Sequence, residues 1–592
     1  MEAPTYAQKS WNLAELLPDA SEATISTRLE QMERLVRSIE AARPRLQEKP
    51  TPELVLEVLG DYEKLTEASY PPSAYGALWF SEDTQSEAAL TYKNRINRSL
   101  VEFHNRVLFF TLWWKGLDDA TAGELAPRAP EHEDFRHFLA DLRRSKPFML
   151  EETSEQVVNL KDANGISAVL TIYSMLTNRL EFGIEVDAEA RTLTRDELLA
   201  LVYSPSAELR AAAYREMLRV FGGEAKILGQ IYVSRALDWH AENVRLRGFS
   251  SPIAVRNLEN DVPDQAVEVL LETCASNAGL FQRYFRWKAQ QLGQERLSRF
   301  DLYAPIAGAD KSVAFADAVE LVLSTFEGFE PRLAALSRRV FDDDHVDSEV
   351  RKGKKGGAYC ATVLPHQTPW LLLNYNGTVR DVATLAHELG HAVHSMLAEN
   401  HSVLTQHPSL PLAETASVFA ERLLVDHLLA SETNRNVRRE LLASSLDDIY
   451  ATVMRQASFV RFEERAHAAI LEGKAPEALN EIYFSLLEEQ FGDAVEVPEE
   501  FSREWVSIPH IYHTPFYCYS YSFGQLLVLA LYKRYRELGR EFVPGYLRLL
   551  AWGGAARPAQ ILGEVGVDIT DARFWQGGFD VVEGMVEELE AL

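Results

Sequence analysis

His387, Glu388 and His391 are the residues of this chain whose types and spacing best fit catalytic chemistry. On a helix, positions i and i+4 lie one turn apart on one face. Both imidazoles can therefore meet a single Zn²⁺, while the glutamate between them acts on a water molecule. With 15 histidines in 592 residues, only about 0.04 chance matches to His-Glu-x-x-His are expected. The motif still requires two supports, a helix to carry it and a third ligand from elsewhere.

The helix is well specified. Asn376-Gly377 is a turn dipeptide, and Thr378 with Asp381 three residues on forms a capping-box pattern, so Asp381 reads as a cap. The run from Val379 to Leu397 has no proline and is rich in helix formers such as Ala383, Leu385, Ala386 and Leu389. Gly390 costs about 1 kcal/mol relative to alanine inside a helix. A glycine between the two histidines would let another backbone or the metal site approach closely.

The third ligand must come from another element. His394 falls on the same face, but three successive ligands on one straight helix cannot close around a tetrahedral ion. A pattern with a glycine and a third histidine at fixed offsets fails too, because those positions hold His394 and Leu397. After a loop punctuated by Pro408 and Pro411, Leu412 to Glu421 reads as a second helix with Glu414, Ser417 and Glu421 along one stripe. Glu414 lies 23 residues beyond His391, enough chain for a turn and an adjacent helix. It is the expected ligand, since Glu399 is too far along the first helix to curl back. Ser417 is expected to support it, and Glu421 is either a partner of a ligand or a solvated charge.

These segments resemble the M3 metallopeptidases, specifically the oligoendopeptidase F branch related to thimet oligopeptidase. The resemblance rests on His-Glu-Leu-Gly-His-Ala-Val-His at 387–394 and Glu-Thr-Ala-Ser-Val-Phe-Ala-Glu at 414–421. Upstream, Gly357-Ala358-Tyr359 and Trp370 to Tyr375 are similar to the family's Gly-Ala-aromatic turn and edge strand. Downstream, Pro509 to Tyr512 and Phe516 to Tyr521 are similar to its His/Tyr-rich substrate-contact segment. The match runs over roughly residues 200–590 and extends more weakly to the N-terminal part.

The resemblance implies one Zn²⁺ per chain on His387, His391 and Glu414, with Glu388 as general base for peptide-bond hydrolysis. His510 and Tyr521 are favoured as donors to the oxyanion. Gly357, Ala358, Tyr359, Tyr512, His513, Tyr517 and Tyr519 become candidate substrate contacts. The bland alternative for Tyr517, Tyr519 and Tyr521 is a packed aromatic face, and His513 could equally lie on the surface. The strand-like runs Ala358–Leu364 and Leu371–Tyr375 could take an extended peptide along an edge. The charged, glycine-rich loop 342–357 reads as solvated, with closure over substrate as a minority reading.

Long helical runs dominate the chain. Ile25, Leu29, Met32, Leu35 and Ile39 form a stripe at three- and four-residue steps, with Pro44 expected beyond its end. Further runs lie at 84–115, 151–179, 195–221, 262–292 and 437–472. No repeat of 20–50 residues is evident. The polar stretch Glu185–Arg195 suggests a boundary, with an N-terminal helical part at 1–190 and the catalytic region at 191–592. The expected fold is mostly α, with a small β element beside the zinc helix. The resemblance adds two lobes and a deep substrate channel that would admit short unstructured peptides and exclude folded proteins.

Composition narrows the partners. The chain is 46% hydrophobic and 25% charged, and 60 Lys and Arg against 88 Asp and Glu leave a net charge of −28. That balance disfavours nucleic acid and anionic membranes as partners. Cys274, Cys360 and Cys518 are scattered with no Cys-x-x-Cys pair, which suits a reducing cytoplasm. No export signal is recognised at the start, and the apolar runs are too short to span a bilayer. Two rival readings remain. A helical zinc carboxypeptidase would need a cationic anchor, for which Arg455, Arg461 and Arg465 are unassigned. A catalytically silent peptide-binding protein would be expected to have lost one of His387, Glu388, His391 or Glu414, and all four are present.

Overall fold

Three long helices, Glu22–Glu48, Pro52–Glu82 and Glu87–Gly116, begin with a side-chain cap from Ser21, Thr51 and Ser86 respectively. Each cap satisfies one of the free N–H groups at a helix start. The apolar stripe of the first helix is buried at Ile25, Met32 and Ile39 and half-buried at Leu29 and Leu35. Met32 and Ile39 pack with Val55, Leu59, Val107 and Phe110. The helix runs through Pro44 to Glu48 and does not stop before it. Interior proline removes one backbone hydrogen bond, at about 3 kcal/mol. Leu46, buried in the same core beyond the proline, holds the last turn in place.

The computed structural model describes residues 6–306 and 312–592. Its backbone is predominantly helical, with a few short strands. The chain divides into two units, each assembled from three stretches of sequence. One comprises Met1–Pro147, Asp310–Leu428 and Tyr535–Val567; the other comprises Phe148–Ala309, Leu429–Arg534 and Asp568–Leu592. Among the described residues, no helix is long and apolar enough to cross a membrane.

The first unit holds a three-stranded sheet. Trp370–Leu372 is its centre, paired in parallel with Val346–Asp347 and antiparallel with Tyr359–Ala361. Trp370, Leu371 and Leu372 are fully buried, whereas Tyr359–Ala361 forms a half-buried edge. Lys354 ties the loop leading to that edge to the sheet. The Lys354 side chain is buried, paired with Asp347 at 2.8 Å, and its Nζ also donates to the Leu373 carbonyl at 2.6 Å. Withdrawing that ammonium would leave the Asp347 carboxylate buried with one partner fewer.

In the second unit the predicted helical runs are interrupted where local chemistry breaks them. Run 151–179 splits at Gly165, and run 195–221 splits at Ser204-Pro205-Ser206 before the long helix Ala207–Trp239. The polar stretch 185–195 folds largely as the antiparallel hairpin Phe182–Val186 with Glu189–Leu193, turning at Asp187 and Ala188 with positive φ. The buried pairs Arg299–Glu504 at 2.9 Å and Arg210–Asp301 at 2.7 Å lie in this unit.

Candidate metal centre and active site

The helix Val379–Leu397 starts on a capping box. Asp381 N–H donates to Thr378 Oγ1 at 3.2 Å, and the Asp381 carboxylate accepts from Thr378 N–H at 2.9 Å. It also accepts from Asn376 N–H at 3.0 Å. Asp381 is thus a cap, spent on the helix start. This rigid entry fixes the helix rotation, so that Leu385, Ala386, Leu389 and Val393 are buried while His387 and His391 stay half-exposed on one side.

Gly390 faces a neighbouring backbone. A Cβ built there would lie 2.6 Å from Ser417 Cα and 2.7 Å from the Ala416 carbonyl oxygen. The segment bearing Glu414 can press against the His-bearing helix only because this side chain is missing. That segment is not one continuous helix as expected. Leu410–Ala413 is a single helical turn, Glu414 follows it, and the next helix starts at Ser417. The break turns the Glu414 side chain back toward the histidines, which a stripe on a straight helix would not do.

His387 Nε2 and His391 Nε2 stand 3.1 Å apart. Glu414 Oε2 is 3.4 Å from the first and 3.5 Å from the second. In a tetrahedral zinc site with bonds of about 2.0–2.1 Å, ligand atoms are separated by roughly 3.3 Å. The three atoms therefore match the spacing of one face of such a tetrahedron, and would offer a zinc ion two imidazoles and a carboxylate. Among the described residues, His387, His391 and Glu414 are one of two groups whose ligand atoms converge; the other is Asp162, Asp238 and Glu242.

Each ligand is itself held. His387 Nδ1 donates to Glu421, which points Nε2 toward the other two ligands. Burial opposes charge on His387, but the Glu421 bond and the surrounding carboxylates outweigh it and lift its pKa to about 9. Ser417 Oγ donates to Glu414 Oε2 at 2.7 Å. The Ala413 carbonyl accepts from the His391 ring, whose pKa is lowered by burial foremost. His394 is 3% exposed and kept neutral by burial, its pKa near 3, so it is a core residue.

Glu388 lies between the histidines and is 5% exposed. Burial raises its pKa to about 7; Glu414 and Glu421 add to this, while His387 and the Cys360 N–H oppose it. Its Oε2 has no hydrogen-bond partner among the described residues. A buried, unpartnered carboxylate oxygen with a pKa near neutrality is suited to exchange a proton. Cys360 belongs to the edge strand Tyr359–Ala361, so that strand runs against the helix beside Glu388. Sequence reasoning had no signal for this contact. Gly357 has φ of 79°, which makes the turn into the strand, and Asn374 Nδ2 donates to its carbonyl at 2.8 Å.

The His/Tyr segment lies in the second unit. His510 Nε2 and Tyr521 OH are 3.4 Å apart, and the Tyr517 ring stacks parallel to His510 and edge-on to Tyr521. Burial, then the charges of Arg195 and Arg455, lower the His510 pKa. His513 is exposed and meets Tyr173 edge-on. Tyr512 and Tyr519 do not fit the expected role as substrate contacts. Both rings are fully buried, with Tyr512 OH donating to the Val506 carbonyl at 3.3 Å and Tyr519 OH accepting from Asn260 at 2.9 Å. The chain turns at Phe516, and alternate tyrosines then enter the core.

That turn is braced by residues the sequence did not single out. Phe516 takes φ of 59°, a region costly for a bulky residue. Its N–H donates to the fully buried Glu463 at 2.9 Å, and Arg256 donates to the Pro515 carbonyl at 3.3 Å. Burial holds the Glu463 pKa well above its ordinary value.

Comparison with known proteins agrees with this geometry. The chain matches the model of peptidase family M3 over residues 200–581. It is 28% identical over 473 residues to an oligoendopeptidase F homologue of Borreliella burgdorferi, covering 78% of each chain. It is 26% identical over 558 residues to the group B oligopeptidase PepB of Streptococcus agalactiae, covering 91% of this chain and 89% of the relative. The crystal structure of oligoendopeptidase-F from Enterococcus faecium superposes with a TM-score of 0.73 at 22% identity, over 97% of this chain and 99% of that one, which shows a shared fold. The converging His387, His391 and Glu414, the buried Glu388 and a family match spanning the segments that carry them lead to one conclusion: the chain belongs to peptidase family M3, a family of metallopeptidases.

Proposed function

We propose that the protein is a zinc endopeptidase of short, unstructured oligopeptides, with the catalytic region from residue 191 onward. The observation that carries this reading is the triangle of His387, His391 and Glu414 ligand atoms, 3.1–3.5 Å on a side, next to the unpartnered Glu388 Oε2. One zinc ion held by those three residues would supply Lewis acidity to a water molecule and to the scissile carbonyl. Glu388 Oε2 takes the proton of the attacking water and passes it to the leaving amine nitrogen. Glu421 keeps the His387 tautomer, and Ser417 keeps the Glu414 carboxylate in one orientation.

Substrate is held through its backbone. The edge Tyr359–Ala361, entered through Gly357 and Ala358, offers main-chain donors and acceptors without demanding a sequence. His510 and Tyr521 are the proposed donors to the developing oxyanion, with Tyr517 and His513 as further contacts. Oligopeptide substrates are also supported by the relatives, several of which are described as oligopeptidases. Three free cysteines and the acidic net charge support a cytoplasmic setting without nucleic-acid or membrane partners.

The test is a quenched fluorescent peptide of about ten residues, blocked at both termini, with wild type beside Glu388→Gln. Internal cleavage by wild type, lost in a variant that still binds zinc, is the expected result. Cleavage only after unblocking the C-terminus would replace this reading with a carboxypeptidase. No cleavage despite bound zinc would point to a peptide-binding protein.

A further inference from the structure

The three-stranded sheet of the first unit has two edges, and the fold treats them differently. Tyr359–Ala361 pairs with Trp370–Leu372 on one side and, among the described residues, with no strand on the other. The opposite edge, Val346–Asp347, is flanked by the segment that precedes the first long helix. Ser348 N–H donates to the Lys9 carbonyl at 3.0 Å, and Asn12 N–H donates to the Asp344 carbonyl at 2.8 Å. The partners run backward from 348 to 344 as this strap advances from 9 to 12, which is the sense of an antiparallel strand. Gln8 Nε2 donates to the carbonyls of Ser348 and Tyr375, each at 3.0 Å. It thereby joins the covered edge to the chain that leads into the helix Val379–Leu397.

The strap also reaches the open edge. Trp11, 5% exposed, packs in one cluster with Val363, Trp370 and Leu372, against which Tyr359 and Ala361 lie half-buried. Its ring centroid is 6.4 Å from that of Tyr359. Trp370 Nε1 donates to the Asn12 carbonyl at 2.9 Å, so the centre strand is tied to the strap as well. Strands of two and three residues have too few ladder bonds to stay ordered alone, and the shape of this sheet depends on what packs against it.

We propose that segment 6–17 is a brace that sets the position of the substrate-holding edge, with Trp11 and Gln8 as positioning residues. The strap closes one edge of the sheet, which leaves Tyr359–Ala361 as the edge where an extended peptide can add. Trp11 supports that edge from the side of the core. This inference rests on the oligopeptidase reading above. Its consequence is that loosening the brace weakens binding of substrate and transition state alike, so KM rises while kcat is held.

The experiment compares Trp11→Ala, Trp11→Phe and Gln8→Ala with wild type by hydrolysis of the blocked peptide, by zinc content and by hydrogen exchange of backbone amides. The expected result for Trp11→Ala is a KM about 10-fold higher, the order of one lost hydrogen-bonded contact to the peptide, with kcat and zinc content held. Amides of 359–363 and 370–373 should exchange about 10-fold faster, while those of Val379–Leu397 keep their wild-type rates. Trp11→Phe, which refills most of the apolar site, should restore most of both. Gln8→Ala leaves the apolar packing in place and should show the same pattern more weakly, so it decides the matter if Trp11→Ala fails to fold. An unchanged KM in both alanine variants, or losses of kcat and zinc that parallel the rise in KM, would overturn the proposal. Should wild type cleave no peptide, the oligopeptidase reading fails. Amide exchange at the edge and fluorescence anisotropy of the labelled peptide then decide the brace by themselves.

Discussion

Replacing Gly390 with alanine sets helix propensity against tertiary packing. Propensity alone predicts a gain of about 1 kcal/mol for the alanine. The structure predicts a loss, because the new Cβ would lie 2.6 Å from Ser417 Cα and 2.7 Å from the Ala416 carbonyl oxygen, both backbone atoms. Ordinary contact begins at 3.4 Å, so the Glu414-bearing segment must retreat by about 0.8 Å. Metal–ligand distances tolerate only about 0.2 Å, so the retreat takes Glu414 out of bonding range unless its side chain follows. Overpacking of this kind costs about 1–3 kcal/mol in stability, and zinc affinity should fall at least 10-fold, on the scale of lost ligand support. Chelator competition measures the affinity, and thermal unfolding of metal-free and zinc-loaded protein measures stability. A Gly390→Ala variant with wild-type zinc affinity and a raised Tm would refute the argument that this glycine exists for the backbone contact.

Other substitutions probe separate parts of the site. Glu421→Gln should weaken zinc binding about 10–100-fold by loosening the His387 tautomer, read by the same competition assay, with Glu388-dependent chemistry retained at saturating zinc. Glu388 titrates near 7 in the metal-free fold against an ordinary 4.5; its protonated form is the stable one, so this contribution is complete below pH 4.5 and lost as pH rises through 7. Metal-free Glu388→Gln should therefore be more stable than wild type by about 3 kcal/mol at pH 9 and equal to it at pH 4, by urea unfolding at both values; a pH-independent difference would contradict the buried-carboxylate account. Glu463→Leu removes the acceptor for Phe516 N–H and should lower kcat with zinc content intact, while Glu463→Gln, which keeps a neutral acceptor, should restore most of it. Equal effects of the two Glu463 variants would show that the turn needs no acceptor there.

The local features of this protein are legible in its residue order. His387, Glu388 and His391 share a helix face because their spacing is fixed by helical geometry, and Thr378 with Asp381 caps that helix because both partners lie within one turn. The mostly α character followed from periodicity in the same way. Pro44 was misread as a stop because residues far along the chain bury Leu46 and hold the helix past it. The remaining features depend on contacts between distant segments. Glu414 reaches the histidines by a turn packed against Gly390, Tyr512 and Tyr519 lie in the core while Tyr517 and Tyr521 do not, and Glu463 meets Phe516 across 53 residues. Nor could spacing reveal that Arg299 and Arg455 share Glu504. Such pairings depend on which side chains desolvation forces together, and that is set by the packing of distant segments.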